Sequence, residues 1–330
     1  MRKGLIPGLT FVAALALVAA PAVAEENRDV RPDGGNDEAA VTASDPSVVA
    51  SDPSVVANEE TPTHIFLTRE EHEKAIARQP LARRSPNMTF HGGKIMTTAV
   101  TKAIFWGPSW SNSTFAGDKI TGLDSWYSGF SNSDYAKTSD EYTGTNGTVG
   151  AVTTHQGHSI DTSTATGGGS TTAILAEFCK VITSPDASGN GYYAVYTDVK
   201  RGNAGYCAWH SAGTCHGTPV QFAFFFNLDG DAGCDPADSQ TGHSQGLAAL
   251  ANVTAHELSE ARSDPASPGA WYDSGGAENG DKCAWTFNVP FVSFANGTSW
   301  KLQGEWSNAA YTAGTGYPNS SGQKGCLDGH

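Results

Sequence analysis

Six cysteines, all between residues 179 and 326, constrain the fold of this chain more than any other feature of its sequence. An even number of cysteines in an exported chain predicts disulfides, and the sequence leaves their pairing open. A structural zinc site is the alternative, which the lack of any Cys-x-x-Cys pair disfavours. The six positions are Cys179, Cys207, Cys215, Cys234, Cys283 and Cys326.

The first 24 residues predict that the chain is exported. Basic residues follow Met1, residues 5–18 are apolar without an acid, and Ala22-Val23-Ala24 precedes Glu25. This pattern is typical of a secretory signal peptide that is cleaved after Ala24. An uncleaved anchor is the alternative, for which the apolar run is short. We expect a secreted, extracellular protein without a membrane span after cleavage, and the oligomeric state stays open.

Residues 25–88 are predicted to be a disordered linker or pro-segment. Acids, Pro, Ser and Ala dominate, and the heptapeptide Ala-Ser-Asp-Pro-Ser-Val-Val occurs at 43–49 and again at 50–56. The Asp-Pro pair interrupts helices and strands, and two copies are too few for a solenoid. One short helix is expected at 69–78. Arg83-Arg84 is either a processing site or a pair of solvated arginines.

Residues 89–330 are expected to form a single α+β domain with a central sheet. The strongest helix candidate spans 247–262 and ends before Pro265. The remainder after it is rich in Gly, Asn and Ser, which predicts a loop-rich C-terminal part that disulfides stabilise, with short strand-like pieces at 285–294 and 299–302. Further candidates are helices at 120–130 and 171–182 and strands at 100–106, 191–199 and 219–227.

The charge balance excludes a nucleic-acid partner. The chain has 20 Lys and Arg against 34 Asp and Glu, a net charge of −14, so it has no basic field to displace counterions. Eight of the acids lie between residues 235 and 281, around the predicted helix at 247–262. This concentration of negative charge suggests a local cation site.

Residues 242–246, Gly-His-Ser-Gln-Gly, match the Gly-x-Ser-x-Gly turn of serine hydrolases. That turn requires a buried strand leading directly into it, so that the serine is held at a strained corner. Residues 235–241 are polar and loop-like instead. A glycine-rich entry to the helix is therefore the favoured interpretation of Ser244.

His256, Glu257 and Glu260 form a second candidate site on the predicted helix. His256 and Glu260 are four residues apart, so their side chains share one face, as in the His-Glu-x-x-His arrangement of zinc peptidases. Glutamate in place of the second histidine keeps a zinc ligand and makes the site more anionic. Glu257 lies where it could accept a proton from water. The alternative is a helix surface with two exposed acids.

A third ligand is expected from the segment after the helix. Glu278 lies 18 residues beyond Glu260, Asp281 is similarly placed, and Asp264 stands at the helix end. The three acids cannot all bind the ion if one position stays open for water. The others would then orient the ligands.

The block at 255–283 resembles the EXORDIUM (phosphate-induced protein) family, and the resemblance extends over about residues 98–328. Asn279 stands where an aliphatic residue is usual, and Gly-rich insertions lie near 312–322. The matching residues are Ala-His-Glu-Leu-Ser-Glu at 255–260, Asp264-Pro265, Trp271-Tyr272, Glu278, Asp281-x-Cys283, Tyr-Cys-Ala-Trp-His at 206–210 before a strand at 222–226, Leu-Gln-Gly-Glu-Trp-Ser-Asn at 302–308, and Cys326.

The resemblance implies a secreted, cysteine-containing protein, since members of this family are secreted and the plant members are associated with the cell wall and growth. A weaker similarity of residues 256–260 to zincin-like metallopeptidases implies a zincin-like domain in which this helix carries the active site. The family resemblance itself does not imply a defined activity.

These observations lead to the hypothesis of a secreted zinc metallopeptidase. Zn²⁺, or another divalent cation, would be held by His256, Glu260 and either Glu278 or Asp281. Glu257 would act as general base on an extracellular protein or peptide substrate. The sequence does not place an oxyanion donor, for which the candidates are His210 and Tyr272.

Two other hypotheses stay open. A purely structural metal site would bind the ion without hydrolysis. A non-catalytic protein would bind cell-wall material or signal at the surface. Its candidate sugar-stacking aromatics, for which core packing is the favoured role, are Trp106, Trp110, Trp126 and Tyr127.

Overall fold

A computed structural model describes residues 52–78, 86–265 and 269–330. These residues all belong to one unit of contacts, which begins at Ala50. The predicted signal peptide at 1–24, the first heptapeptide copy at 43–49 and the Arg83-Arg84 pair lie outside the described residues. None of the described helices is long and apolar enough to cross a bilayer.

Six α-helices and sixteen strands lie in the described residues. The helices are α1 (Arg69–Arg78), α2 (Ser113–Ala116), α3 (Lys119–Phe130), α4 (Thr171–Val181), α5 (Gln245–Ser263) and α6 (Asn308–Ala313). The strands are β1 (Val56–Ala57), β2 (His64–Leu67), β3 (Thr89–Phe90), β4 (Ala99–Trp106), β5 (Thr143–Gly144), β6 (Gly147–Thr148), β7 (Thr153–Asp161), β8 (Gly191–Lys200), β9 (Tyr206–Cys215), β10 (Thr218–Asn227), β11 (Trp271–Tyr272), β12 (Val292–Ser293), β13 (Ser299–Trp300), β14 (Glu305–Trp306), β15 (Tyr317–Pro318) and β16 (Lys324–Leu327).

A seven-stranded mixed sheet forms the centre of the fold, so the predicted α+β class with a central sheet is confirmed. Its strand order is β1-β9-β10-β8-β4-β7, and β2 also pairs with β9. β10, β8, β4 and β7 pair in parallel, whereas β9 runs antiparallel to β10. The parallel strands β8 and β10 are apolar almost throughout because both of their faces are covered.

Helices cover the sheet on both faces. Successive side chains of a strand point to opposite sides. On β8, the Tyr196 hydroxyl lies 2.8 Å from the hydroxyls of Tyr127 in α3 and Thr254 in α5. Tyr193 instead stacks on Phe178 of α4, with ring centroids 4.9 Å apart. α3 and α5 therefore lie on one face of the sheet and α4 lies on the other.

Part of the segment predicted to be a linker belongs to the sheet. β1 and β2 both pair antiparallel with β9, with Val56 opposite Thr214 and His64 opposite His210. Phe66 is buried in the main core. Residues 52–78 therefore differ from the prediction of disorder for 25–88, and α1 lies where a short helix was expected. A four-residue strand suffices here because the edge of β9 supplies its hydrogen-bond partners.

Three disulfides connect the six cysteines, which confirms the prediction that they are bonded to one another. Two of the disulfides anchor β9 at its two ends, and the third ties the loop after α5 to β16. The pairs are Cys179–Cys215, Cys207–Cys234 and Cys283–Cys326. The C-terminal part otherwise contains only α6, short strands and loops, as its composition predicts.

α5 is the most enclosed element of the fold. All of its residues from 246 to 263 are buried, including four charged or titratable side chains. A helix that is surrounded by protein on all sides is normally apolar around its whole circumference. Buried charge in such a helix requires partners, which identifies the part of the molecule to examine for function.

Candidate functional site

Four ionisable side chains lie on the C-terminal half of α5, and three of them, His256, Glu257 and Glu260, belong to the predicted site. His256 and Glu260 project from one face, with His256 Nε2 and Glu260 Oε2 3.1 Å apart. Glu257 points towards β9, where its Oε2 lies 3.1 Å from Nδ1 of His210. The helix therefore brings His256 and Glu260 together, as their spacing predicts, and joins Glu257 to a histidine of the sheet.

The loop after α5 returns to the same helix face. The backbone N–H of Asp281 donates to Glu260 Oε1 at 2.8 Å, and Asp281 Oδ1 lies 3.8 Å from His256 Nε2. Gly280 permits this approach, because a Cβ at that position would lie 2.7 Å from His256 Nδ1 and 2.9 Å from Glu260 Oε1. Asn279 is buried beside it and donates to Ser139 Oγ at 3.2 Å.

Glu278 faces different partners from Asp281. Its Oε2 lies 2.8 Å from Nδ1 of His64 in β2 and 3.8 Å from Nε2 of His210. Asp264 caps the end of α5 and accepts a hydrogen bond from the N–H of Ala270. Of the three acids considered as a third ligand, only Asp281 therefore lies close to the imidazole of His256.

Three overlapping sets of histidine and acidic side chains could hold a metal ion. In each set, every residue offers one potential ligand atom, and these atoms all lie within 4.8 Å of one another. The sets are His64, His210 and Glu278; His210, Glu257 and Glu260; and His256, Glu260 and Asp281. We refer to their seven members together, His64, His210, His256, Glu257, Glu260, Glu278 and Asp281, as the α5 cluster.

The acids of the α5 cluster have raised pKa values. Burial raises the pKa of Glu260 to about 8. Burial, and then the charge of Glu260, raise the pKa of Glu257 and of Glu278 well above the usual range. The pKa of Asp281 is raised for the same two reasons, although its side chain keeps 34% of its surface exposed. Each of these acids therefore resists ionisation unless positive charge is brought close.

The imidazoles of the cluster are shifted in the opposite direction. Burial lowers the pKa of His256 to about 4. Burial, followed by the nearby His64 and His256, lowers the pKa of His210 well below its usual range. Neutral imidazoles are the form that binds metal ions. The cluster therefore combines metal-binding imidazoles with acids whose ionisation a cation would favour.

Four polar atoms of the cluster are buried without a hydrogen-bond partner among the described residues: His210 Nε2, His256 Nε2, Glu257 Oε1 and Glu278 Oε1. Such an atom costs about 1–3 kcal/mol when left unpaired. Among the described lysines and arginines, none forms an ion pair with a carboxyl of the cluster. Unpaired acceptors and acids without a basic partner suit a divalent cation.

The separations also suit a small ion. Around tetrahedral Zn²⁺, with ligand bonds of about 2.0–2.2 Å, neighbouring ligand atoms lie roughly 3.3–3.5 Å apart. His256 Nε2 lies 3.1 Å from Glu260 Oε2 and 3.8 Å from Asp281 Oδ1, on either side of that distance. Shifts of a few tenths of an ångström would bring these two separations to the ideal value.

Gln303 determines the tautomer of His256. Its Oε1 accepts from the Trp285 N–H at 3.3 Å and its Nε2 donates to the Gly280 carbonyl at 3.0 Å, which fixes the amide orientation. Its Nε2 also lies 3.1 Å from His256 Nδ1, so Nδ1 accepts and neutral His256 carries its proton on Nε2. Cation binding at Nε2 therefore requires that proton to leave and the Gln303 amide to turn.

Ser244 has a structural role in this arrangement. It is the N-cap of α5, where its Oγ accepts from the N–H of Leu247 at 3.2 Å. It also hydrogen-bonds through Oγ to Asp118. No strand leads into it, since the residues between Cys234 and Ser244 form a loop. The Gly-x-Ser-x-Gly match is a helix entry and lacks the turn geometry of serine hydrolases.

The aromatic side chains considered for sugar stacking lie in the core. Trp106, Trp110, Trp126 and Tyr127 are all buried, and the last three pack against other aromatic rings, as Trp126 does on Phe130 at a centroid distance of 5.0 Å. They present no face to a polymer in this structure. Tyr272, an oxyanion candidate, stacks on His91 at the surface pair β3–β11 and is not part of the α5 cluster.

Sequence reasoning missed three residues of the site. His64 and Phe66 lie in the segment predicted to be disordered, and Gln303 lies in a stretch quoted only for its resemblance. The available signal for the first two was the pattern His-Ile-Phe-Leu, in which alternate residues share a face. No local pattern identifies Gln303, because its role depends on where the chain folds.

Comparison with protein-family models gives no match for this chain, and comparison with curated proteins gives none either. The fold and the site define the protein as a disulfide-linked α+β domain with a histidine–carboxyl cluster that could hold a metal ion.

Proposed function

We propose that this protein is a secreted zinc-dependent peptidase whose active site is the α5 cluster. The observation that carries the proposal is the set of His256, Glu260 and Asp281, in which His256 and Glu260 are buried and no lysine or arginine among the described residues forms an ion pair with either carboxyl. His256 and Glu260 come from one helix face and Asp281 from a later loop. This set supports Asp281 over Glu278 as the third ligand.

Glu257 is the candidate general base. Its Oε2 is engaged by His210 Nδ1 at 3.1 Å, which leaves Oε1 directed at no other described residue. We expect Oε1 to take a proton from the attacking water and to pass it to the leaving amide nitrogen. When bound, the ion would supply Lewis acidity, which polarises a carbonyl and lowers the pKa of water.

Three other groups hold these side chains in position. The Asp281 N–H fixes Glu260 Oε1, so that Glu260 Oε2 faces His256. Gln303 contacts Nδ1 of His256, where an acceptor would strengthen a ligand imidazole. His210 Nδ1 lies 3.1 Å from Glu257 Oε2 and orients that carboxyl. A neutral His210 that donates through Nδ1 has no proton on Nε2, so it positions Glu257 and cannot donate to an oxyanion.

The raised acid pKa values support a coupling between ion binding and proton release. Binding of a divalent cation favours the ionised acids of the cluster, which release their protons, while the proton of neutral His256 moves from Nε2 to Nδ1. The predicted disulfides and the predicted leader support export, and the proposed substrate is an extracellular protein or peptide.

Metal analysis of the purified protein tests the proposal. About one zinc per chain is expected, and His256→Ala is expected to lose it while the fold is retained. His155→Ala is the matched control, because His155 is also largely buried but lies between α3 and β7. Wild-type protein that folds normally and binds no divalent cation would refute the proposal.

A structural cation site is the second candidate. The complete burial of His256 and Glu257 favours it, because a substrate must reach a catalytic base. It predicts bound metal, no hydrolysis, and a fall in stability when a chelator is added. The two candidates differ in whether the cluster ever becomes accessible.

A further inference from the structure

The α5 cluster is closed by one face of a single short strand. His64 and Phe66 are alternate residues of β2, so their side chains point the same way. The His64 ring stacks on His210 at a centroid distance of 4.8 Å, and the Phe66 ring stacks on His256 at 4.0 Å. His64 Nδ1 also lies 2.8 Å from Glu278 Oε2. β2 thus covers both imidazoles and occupies one carboxyl.

The closure is complete for His256 and Glu257, which are 0% exposed, and for Glu260, which is 1% exposed, whereas the Asp281 side chain keeps 34% of its surface exposed. A narrow cleft reaches only the rim, where it is lined by His64, His210 and Asp264. In this arrangement no substrate carbonyl can approach Glu257, although the cluster has the composition of a reactive site.

The covering segment is peripheral to the rest of the sheet. β2 pairs only with the outer edge of β9, and α1, which follows it, has no buried residue. Beyond the strand pairing, Phe66 stacks on the Trp285 ring at a centroid distance of 4.8 Å, and the Trp285 indole N–H donates to the Leu67 carbonyl at 3.0 Å. The Arg69 guanidinium lies 4.8 Å from the same ring and donates to the Asp235 carbonyl at 2.9 Å. Departure of the segment would leave the order β9-β10-β8-β4-β7 intact.

We propose that residues 52–78 are an inhibitory segment that occupies the site of this same chain, and that an extended peptide takes its place on β9 when the segment leaves. This inference rests on the function proposed for the α5 cluster. Peptide is the class of ligand because the backbone groups of β9 that pair with β2 can pair with any extended chain. β2 therefore marks the track of the substrate beside Glu257.

Accessibility of the imidazoles tests the closure independently of catalysis. Chelator-treated full chain is acylated with diethyl pyrocarbonate, and modification of His210 and His256 is followed by peptide mass analysis. His64→Ala/Phe66→Ala is expected to react at least about 10-fold faster than wild type, since the loss of the buried Phe66 side chain weakens the local closure. Ile65→Ala, on the opposite face of the same strand, is the control. Equal rates in wild type and the double variant would overturn the proposal.

Adding the segment back as a separate peptide distinguishes inhibition by residues 52–78 from a general loosening of the double variant. A synthetic peptide of residues 58–68 is expected to slow both acylation and turnover of an unstructured reporter peptide in the double variant. The same peptide with Ala at 64 and 66 should have no effect. Failure of the native peptide to protect the imidazoles would overturn the inhibitory role. Protection without turnover in any variant would support the inhibitory segment and refute the peptidase.

Discussion

Two histidine–carboxyl clusters of the described residues differ in whether their polar atoms have partners. We refer to Asp124, His155 and His158 as the Asp124 cluster. Asp124 Oδ1 lies 2.9 Å from His155 Nε2, and Oδ2 lies 2.6 Å from His158 Nδ1. The other nitrogen of His155 lies 3.0 Å from Thr101 Oγ1. One carboxylate thus serves two imidazoles, and both of its oxygens are used.

The α5 cluster has the reverse stoichiometry, with four acids for three imidazoles and four buried polar atoms unpaired among the described residues. A saturated cluster has nothing left to offer a ligand, whereas an unsaturated buried one is costly unless it serves binding or catalysis. The comparison teaches that residue type alone does not mark a site. Both clusters contain histidines and acids, and only the balance of partners distinguishes them.

The largest effect is expected from Glu257→Gln. In the His64→Ala/Phe66→Ala background, peptide turnover should fall by about 10²–10⁴-fold, because an amide keeps the shape of the side chain but cannot accept the proton. Zinc content should not change. The measurement is the initial rate of cleavage of an unstructured reporter peptide. Asp124→Asn, which disturbs the saturated cluster, should leave turnover unchanged, and an equal loss there would break the comparison.

The next effect concerns which acid binds the ion. Asp281→Asn is expected to weaken zinc binding by at least about 100-fold, because it removes a direct ligand. Glu278→Gln should weaken it by about 10-fold or less, since Glu278 faces His64 and acts from outside the set. Competition titration with a chromophoric chelator gives both affinities. The opposite ranking would place the ion in the set of His64, His210 and Glu278.

Two of the disulfides should contribute about equally to the unfolding free energy but differ in their effect on zinc binding at the site. Removing Cys283–Cys326 or Cys179–Cys215 by paired Cys→Ala changes should each cost about 2–4 kcal/mol of unfolding free energy. Only the first anchors the loop that carries Asp281, so only it should weaken zinc binding, by about 10-fold. Denaturant unfolding and chelator competition are the measurements. Equal loss of affinity in both variants would show that the loop is positioned without its disulfide.

Periodicity predicted the interior of the fold better than its edges. The helices at 120–130, 171–182 and 247–262 and the strands at 100–106, 191–199 and 219–227 are present as α3, α4, α5, β4, β8 and β10. Their apolar spacing follows from burial, which is a local property of the sequence. β7 was not predicted, because it is an edge strand whose exposed face carries polar residues.

The site was only partly predictable for a related reason. His256, Glu257 and Glu260 are neighbours on a helix, so their spacing in the sequence predicts their proximity. His64 and His210 reach the cluster through strand pairing, and Gln303 reaches it through a loop that returns to α5. In the sequence, all three lie far from the residues of α5. Contacts of this kind depend on tertiary register, which no local spacing encodes.

The smallest expected effect, counted per pH unit, is a pH dependence of stability that differs with and without metal. In chelator-treated protein, burial raises the pKa of Glu260 to about 8, so the folded chain keeps this proton up to about pH 8, whereas the unfolded chain loses it near the usual pKa of 4.5. The unfolded state then binds fewer protons, so stability should fall as pH rises between these values, by on the order of 1 kcal/mol per pH unit.

Saturating zinc favours the ionised acid in the folded state, so the stabilisation that zinc confers should grow over the same range. Urea unfolding at a series of pH values, with and without zinc, measures both slopes. Asp124→Asn should leave them unchanged, and Glu260→Gln should reduce both, because Glu257 and Glu278 also have raised pKa values and supply the remaining slope. A zinc effect that does not depend on pH would mean that the ion binds away from the protonated acids of the α5 cluster.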